Sequence, residues 1–195
     1  MRYIVGLGNP GSEYESSRHN TGRIVLADFI KKQKIAEPEF DKKLKALTVS
    51  GKLDGKKFQI IFPETFMNKS GLSVKPLITS KKKAAGLIVV HDDIDLPLGG
   101  FKISVGKGSA GHKGVESIIR NIKTKDFTRI RVGIAPVTPK GKIRKPKGEK
   151  MLDFIIGNFK PEEIKTLKRV AKKITSALED IILYGEGRAM SVRGK

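Results

Sequence analysis

The chain has 195 residues, and 40 Lys+Arg against 20 Asp+Glu give a formal net charge of +20. A hydrophobic content of 38% is too high for a disordered chain, and no apolar run approaches the roughly 20 residues of a membrane span. The absence of Cys excludes disulfides and thiolate metal sites, while the positive excess points to a polyanionic partner, nucleic acid ahead of an anionic membrane.

Met1 leads almost directly into Tyr3–Leu7, a short apolar run that predicts a buried strand and leaves no room for a signal-peptide core. A cytoplasmic location is expected. A polar, glycine-rich stretch follows to Asn20. Gly22, Val25, Leu26, Phe29 and Ile30 then share one helical face. Two β-rich runs, Leu44–Leu53 and Phe58–Phe62, flank the turn signal Asp54-Gly55. Ser70–Ile78 predicts a short helix interrupted by Pro76. Gly86–Val90 reads as a central strand buried on both faces, ending in His91-Asp92-Asp93-Ile94-Asp95.

Phe101–Val105 predicts another strand, Val115–Ile122 a helix and Arg129–Ala135 a strand. Residues 136–150, with Lys140, Lys142, Arg144, Lys145, Lys147 and Lys150 and three prolines, read as an exposed loop. Pro161-Glu162-Glu163 opens a helix, since proline suits the first turn and acids suit the positive end of the dipole. Its Lys165, Lys168, Arg169, Lys172 and Lys173 read as a solvated face. Strands alternating with helices predict one α/β domain with a mixed sheet over 1–185. Residues 186–195 read as a frayed, basic tail.

Two segments match the dinucleotide-binding glycine pattern. In Gly6-Leu7-Gly8-Asn9-Pro10-Gly11 no helix opens after the second glycine, and no acid closes a second strand about 20 residues on. A nicotinamide or flavin site is therefore set aside. The second match, Gly106–Gly111, feeds a helix but has His112 where a phosphate loop needs lysine. Lys107 and Lys113 still favour an anion cradle over a plain tight connection.

The only histidines are His19, His91 and His112, each near the end of a predicted element. His19 lies on a polar loop before a helix, where an imidazole can take a proton from water. Asp92, Asp93 and Asp95 are numerous enough for Mg²⁺ or Ca²⁺, yet Pro97 and the alternating Ile94 and Leu96 favour a rigid turn with one inward acid. Such an acid would orient His19. Asn9 and Asn68 can position water or stabilise an oxyanion, although asparagine at such positions also serves turns.

IVGLGNPG, EYESSRHNTG, PETFMNKSG, HDDIDLPLG, GSAGHKGVESII, RIRVGIAP and DFIIGNF, in this order and spacing, resemble bacterial-type peptidyl-tRNA hydrolase from Met1 to about Phe159. The resemblance implies a single α/β domain whose twisted mixed sheet is surrounded by helices. It implies hydrolysis of the ester joining a peptide to the 3′ ribose of tRNA, which recycles the tRNA, with peptidyl-tRNA as partner and neither metal nor cofactor. A monomer is expected.

By position, the resemblance implies His19 as general base, Asp92 as its orienter, and Asn9 and Asn68 as water-positioning or oxyanion groups. Tyr14, Asn20, Met67, Gly111 and His112 fall in motifs lining the substrate cleft. Arg131 matches a phosphate-clamping arginine. The chain departs from the family where Lys113 replaces a substrate-contacting asparagine and one glycine of a pair is Ala110. It departs again where Ser104 falls at a tRNA-gripping lysine, leaving Lys102 or Lys107 to compensate. The rival reading is a non-catalytic RNA-binding relative of the same fold, which need not keep Asn9, His19, Asn68 and Asp92 together.

Overall fold

The two most apolar runs in the sequence become neighbours at the centre of the fold. A computed structural model describes residues 1–138 and 140–191. In it, β1 (Arg2–Gly6) pairs in parallel with β5 (Leu87–Pro97), Ile4 against Ile88 and Val5 against Val89. All four of these side chains are fully buried, as both faces of these strands are covered. The remaining strands are β2 (Glu39–Asp41), β3 (Ala46–Leu53), β4 (Lys56–Pro63), β6 (Phe101–Val105) and β7 (Thr128–Ala135). They complete one seven-stranded mixed sheet in the order β2-β3-β4-β1-β5-β7-β6. The pairs β4–β1, β1–β5 and β5–β7 are parallel; β2–β3, β3–β4 and β6–β7 are antiparallel.

Helices cover the two faces. On one lie α1 (Thr21–Lys32) and α6 (Pro161–Tyr184), whose Val25, Phe29, Leu167, Ile174 and Leu178 pack on Ile4, Ile60, Ile88 and Ile130. On the other lie α2 (Gly71–Val74) and α4 (Lys113–Ile122), which bring Val74, Val115 and Ile118 against Val5, Ile61 and Val89. The remaining helices are α3 (Lys81–Ala84), α5 (Glu149–Ile156) and α7 (Glu186–Ser191). No helix among the described residues is long and apolar enough to cross a membrane.

Local chemistry explains most boundaries. Asp54 and Gly55 both take positive φ, 42° and 79°, as a two-residue hairpin demands. At the start of α6 the Lys160 N–H donates to Glu163 Oε2 at 2.7 Å.

Three expectations need correction. The central strand does not stop at His91: Asp92 and Asp93 still pair with Val132 and Gly133, and a bulge follows before Pro97 meets Ala135. Gly133 permits this, because a Cβ there would lie 2.0 Å from Pro97 O. The expected loop over 136–150 closes at Gly148, where α5 begins. The expected tail instead forms α7 over 186–191, tied down by Glu186, which accepts from Arg2 at 2.5 Å. Residues 192–195 of that tail lie outside the described residues.

The start of α1 sits against the carboxyl ends of β1 and β5. A Cβ on Gly22 would lie 2.3 Å from Val90 O and 2.6 Å from Leu7 N, both rigid backbone. Gly22→Ala is expected to push the helix off the sheet and cost about 1–3 kcal/mol or more, read from urea unfolding.

Candidate active site

The parallel core β4–β1–β5–β7 places four carboxyl-terminal strand ends side by side, the usual location of a site in an open α/β sheet. Leu7 N donates to Val90 O at 3.0 Å, so β1 and β5 stay in register up to that rim. Asn9 follows β1, Met67 and Asn68 follow β4, and Asp92 stands midway along β5, just ahead of its bulge. His19 arrives from the opposite side, on a 3-10 turn (Arg18–Asn20) just ahead of α1.

His19 Nδ1 lies 3.0 and 3.1 Å from the two oxygens of Asp92. With a proton on Nδ1 the ring donates to the carboxylate and leaves Nε2 as a free acceptor. Asp92 is only 3% exposed, and a second imidazole shares it: His112 Nε2 is 2.9 Å from Oδ1. Burial alone would raise the Asp92 pKa, but the charges and hydrogen bonds of His19 and His112 hold it well below the usual carboxylate range. Burial pulls the His19 imidazole down, but the Asp92 charge and hydrogen bond outweigh it, and its pKa is raised. His91, fully buried, has a pKa well below the ordinary histidine value, chiefly through burial. Its Nδ1 lies 2.7 Å from Asp92 O.

Asn9 is fixed from two sides. Its N–H donates to Asn20 Oδ1 at 2.8 Å, and Asn20 Nδ2 donates back to Asn9 O at 3.0 Å. Its Oδ1 accepts from Met67 N at 2.8 Å. The amide orientation is thereby set, and Nδ2 of Asn9 has no partner among the described residues. Asn68 is exposed on the 3-10 turn Met67–Lys69. Tyr14 is half-buried at the end of another such turn.

The acids of HDDID disperse. Asp92 serves the histidines, Asp93 accepts from Arg131 Nε at 2.6 Å, and Asp95 pairs with Lys145. The three-carboxylate metal site left open by the sequence is therefore not assembled. A different trio comes close: one ligand atom each of His19, Asp92 and His112 lies within 4.8 Å of the others. A cavity of about 340 Å³ opens on His19 and Asp92 between residues 109–113 and the apolar side chains Met151, Leu152 and Ile155 of α5.

Comparison with known proteins then decides the family. The sequence pattern of peptidyl-tRNA hydrolase matches residues 3–194. The chain belongs to the peptidyl-tRNA hydrolase family. It is 38% identical to the peptidyl-tRNA hydrolase of Dehalococcoides mccartyi over 95% of both chains. It is 37% identical to that of Aquifex aeolicus over 97% of this chain and 94% of the relative. The crystal structure of peptidyl-tRNA hydrolase from Acinetobacter baumannii superposes with a TM-score of 0.85 at 28% identity, covering 98% of this chain and 93% of that one. A peptidyl-tRNA hydrolase crystallised with N-propanol gives 0.86 at 29% identity, with the same coverage.

In this member of the family, several residues expected to line the cleft turn inward. Asn20 is 2% exposed and spends its amide on the Asn9 backbone, so it positions Asn9. Met67 is buried in the apolar layer beneath α4, where its sulfur would lie 2.4 Å from a Cβ on Gly114. His112 reaches the cavity wall, but both its ring nitrogens are engaged within the protein. Gly111 and Lys113 are exposed, and Lys113 Nζ lies 3.9 Å from Glu116. Lys102 is exposed on β6 directly across from Arg131, and Lys107 is exposed on the glycine loop. Ser104 faces Arg129, which is 2% exposed with Nη1 unpartnered and has its pKa lowered by burial and by Arg131.

One functional residue went unassigned in the sequence: Arg18. Its guanidinium lies over Phe154 and Phe159, 4.3 and 5.4 Å from their centroids. It donates to Phe154 O, Gly157 O and Asn158 O, and to Glu163 Oε2 at 2.7 Å. The aromatic residues and glycine of DFIIGNF were the available signal, but nothing local connects them to residue 18. Arg18→Ala would strip this turn of its anchor and leave the Glu163 carboxylate with the Lys160 N–H but without its cation. A loss of about 3 kcal/mol or more is expected in denaturant unfolding.

Proposed function

We propose that this chain hydrolyses the ester between a peptide and the 3′ ribose of tRNA, releasing both for reuse, with His19 as general base. The observation that carries the reading is the His19–Asp92 pair, its Nδ1 within 3.1 Å of both carboxylate oxygens at the rim of the parallel strands. Asp92 fixes the tautomer that leaves His19 Nε2 free to accept a proton from water. The resulting hydroxide attacks the ester carbonyl. The tetrahedral oxyanion meets the free Nδ2 of Asn9 and the amide of Asn68. Collapse expels the ribose 3′ oxygen, which takes the proton from His19. No step requires a metal or cofactor.

The positive excess grips the nucleic acid in the same proposal. Lys102, Lys107, Lys113 and Arg131 meet tRNA phosphates, Lys113 taking the place of the usual asparagine as a donor only. Tyr14 and Gly111 border the peptide or acceptor end. The enzyme acts as a cytoplasmic monomer.

Turnover of a peptidyl-tRNA tests this directly. His19→Ala is expected to cut kcat by about 10²–10⁴ with an unchanged fold, and near wild-type turnover would refute the assignment. The base must be unprotonated, so kcat/KM rises with pH through the raised His19 pKa, with its midpoint above the ordinary histidine value of about 6.5. Asp92→Asn removes the charge that raises it, and the midpoint is expected to move to lower pH as kcat falls. Binding measured over a salt series should weaken steeply, and less steeply in Lys113→Asn, whereas a flat response would remove the clamp. Tight binding without turnover would favour the RNA-binding relative.

A further inference from the structure

His112 is the N-terminal cap of α4, and its ring does the capping. Gly114 N and Val115 N donate to His112 Nδ1 at 3.2 and 3.3 Å. These are the second and third residues of the helix, the positions whose N–H groups an ordinary Asn, Asp or Ser cap satisfies. An imidazole nitrogen that accepts two backbone N–H groups carries its lone pair, so the ring proton resides on Nε2. That nitrogen is the one 2.9 Å from Asp92 Oδ1.

We propose that His112 is a positioning residue, fixed as the Nε2–H tautomer by the start of α4, which donates permanently to Asp92 and thereby sets the orientation and charge that His19 experiences. It is then neither a substrate contact, nor a second base, nor a metal ligand. Ligation through Nε2 would need a lone pair there and a proton on Nδ1, aimed at two backbone donors. The proximity of His19, Asp92 and His112 therefore serves a carboxylate held by two N–H donors rather than a metal.

Geometry from other elements supports this. The His112 ring touches both other imidazoles, tilted by 42° against His19 at 5.0 Å between centroids and edge-on to His91 at 4.6 Å. It is held against Asp92 by the helix that follows. The other ionisable groups around the cavity are Asp93, Asp95 and Lys113, and the two acids are taken up by Arg131 and Lys145. Asp92 thus keeps its undivided charge for the histidines.

The effect on turnover rests on the hydrolase reading, while the tautomer does not, and the two are tested separately. In ¹⁵N-labelled resting protein, imidazole NMR should show His112 with an unprotonated Nδ1 and a protonated Nε2, the signals being assigned by their loss in His112→Asn. A proton on Nδ1 overturns the proposal. So does Zn²⁺, added alone, if it displaces the Nε2 proton in a chelator-reversible way.

His112→Asn separates the two jobs of the ring. Asn is a favoured cap, so the start of α4 and the unfolding midpoint are preserved. Its short side chain no longer reaches Asp92. The expected result is a kcat lower by about 10- to 100-fold with KM unchanged. The acid limb of the pH profile should move to higher pH, because Asp92 then spends its whole charge on His19. Wild-type kcat, or an acid limb that stays in place, overturns the proposal. A wild-type protein with no turnover but the expected NMR tautomer refutes the hydrolase reading alone.

Discussion

A carboxylate almost sealed from water governs the architecture around it. An ionised group buried to the extent of Asp92 is tolerated only where donors replace its hydration. Those donors come from two directions, the turn before α1 and the cap of α4. The strand that carries Asp92 is covered by α1 on one face and α4 on the other, so each layer contributes one imidazole to one acid. The apolar cores and the polar site are thus a single construction: the helices that bury Val90 and Val89 also deliver His19 and His112. Anything that shifts either helix leaves a buried charge uncompensated.

The electrostatics divide by depth. Near the site the other two acids of β5 are each neutralised by a nearby cation, buried Asp93 by Arg131 and exposed Asp95 by Lys145. The Nε–H of Arg131 is thereby committed inside the protein. The lysines of α6, Lys165, Lys168, Lys172 and Lys173, lie on its exposed face, where charge keeps a helix solvated. The excess of +20 therefore includes structural and solvating charge, and net charge alone does not separate these from charge available to a ligand.

Much of the fold was legible because its elements are locally consistent. Arg129–Ala135 and Phe101–Val105 alternate, the latter between glycines, and Asp54-Gly55 is a turn by its own chemistry. The elements that escaped notice are those whose stability is tertiary. Three-residue β2 has no pattern of its own and exists because β3 offers it an edge. Helix α5 is short and exposes Leu152 and Ile156, so nothing in its sequence separates it from the basic loop before it. At the site, His19 and Asp92 were readable from motif order. The inward roles of Asn20, Met67 and His112 were not, because a sequence position says which residues reach a cleft but not which way an amide or ring turns. Arg18 was invisible for the same reason: its partners lie beyond residue 150.

That last separation has a consequence for the birth of the molecule. The turn bearing His19 is among the first segments synthesised, yet the carbonyls and carboxylate that grip Arg18 are 136 to 145 residues downstream. Closing so long a loop is slow and entropically costly until the intervening strands are in place. A nascent chain still attached at its own carboxyl end to the translation machinery therefore holds the turn of His19 unanchored until Glu163 has emerged. The turn bearing His19 is made early and locked late, and the first turn of α6 acts as the timer.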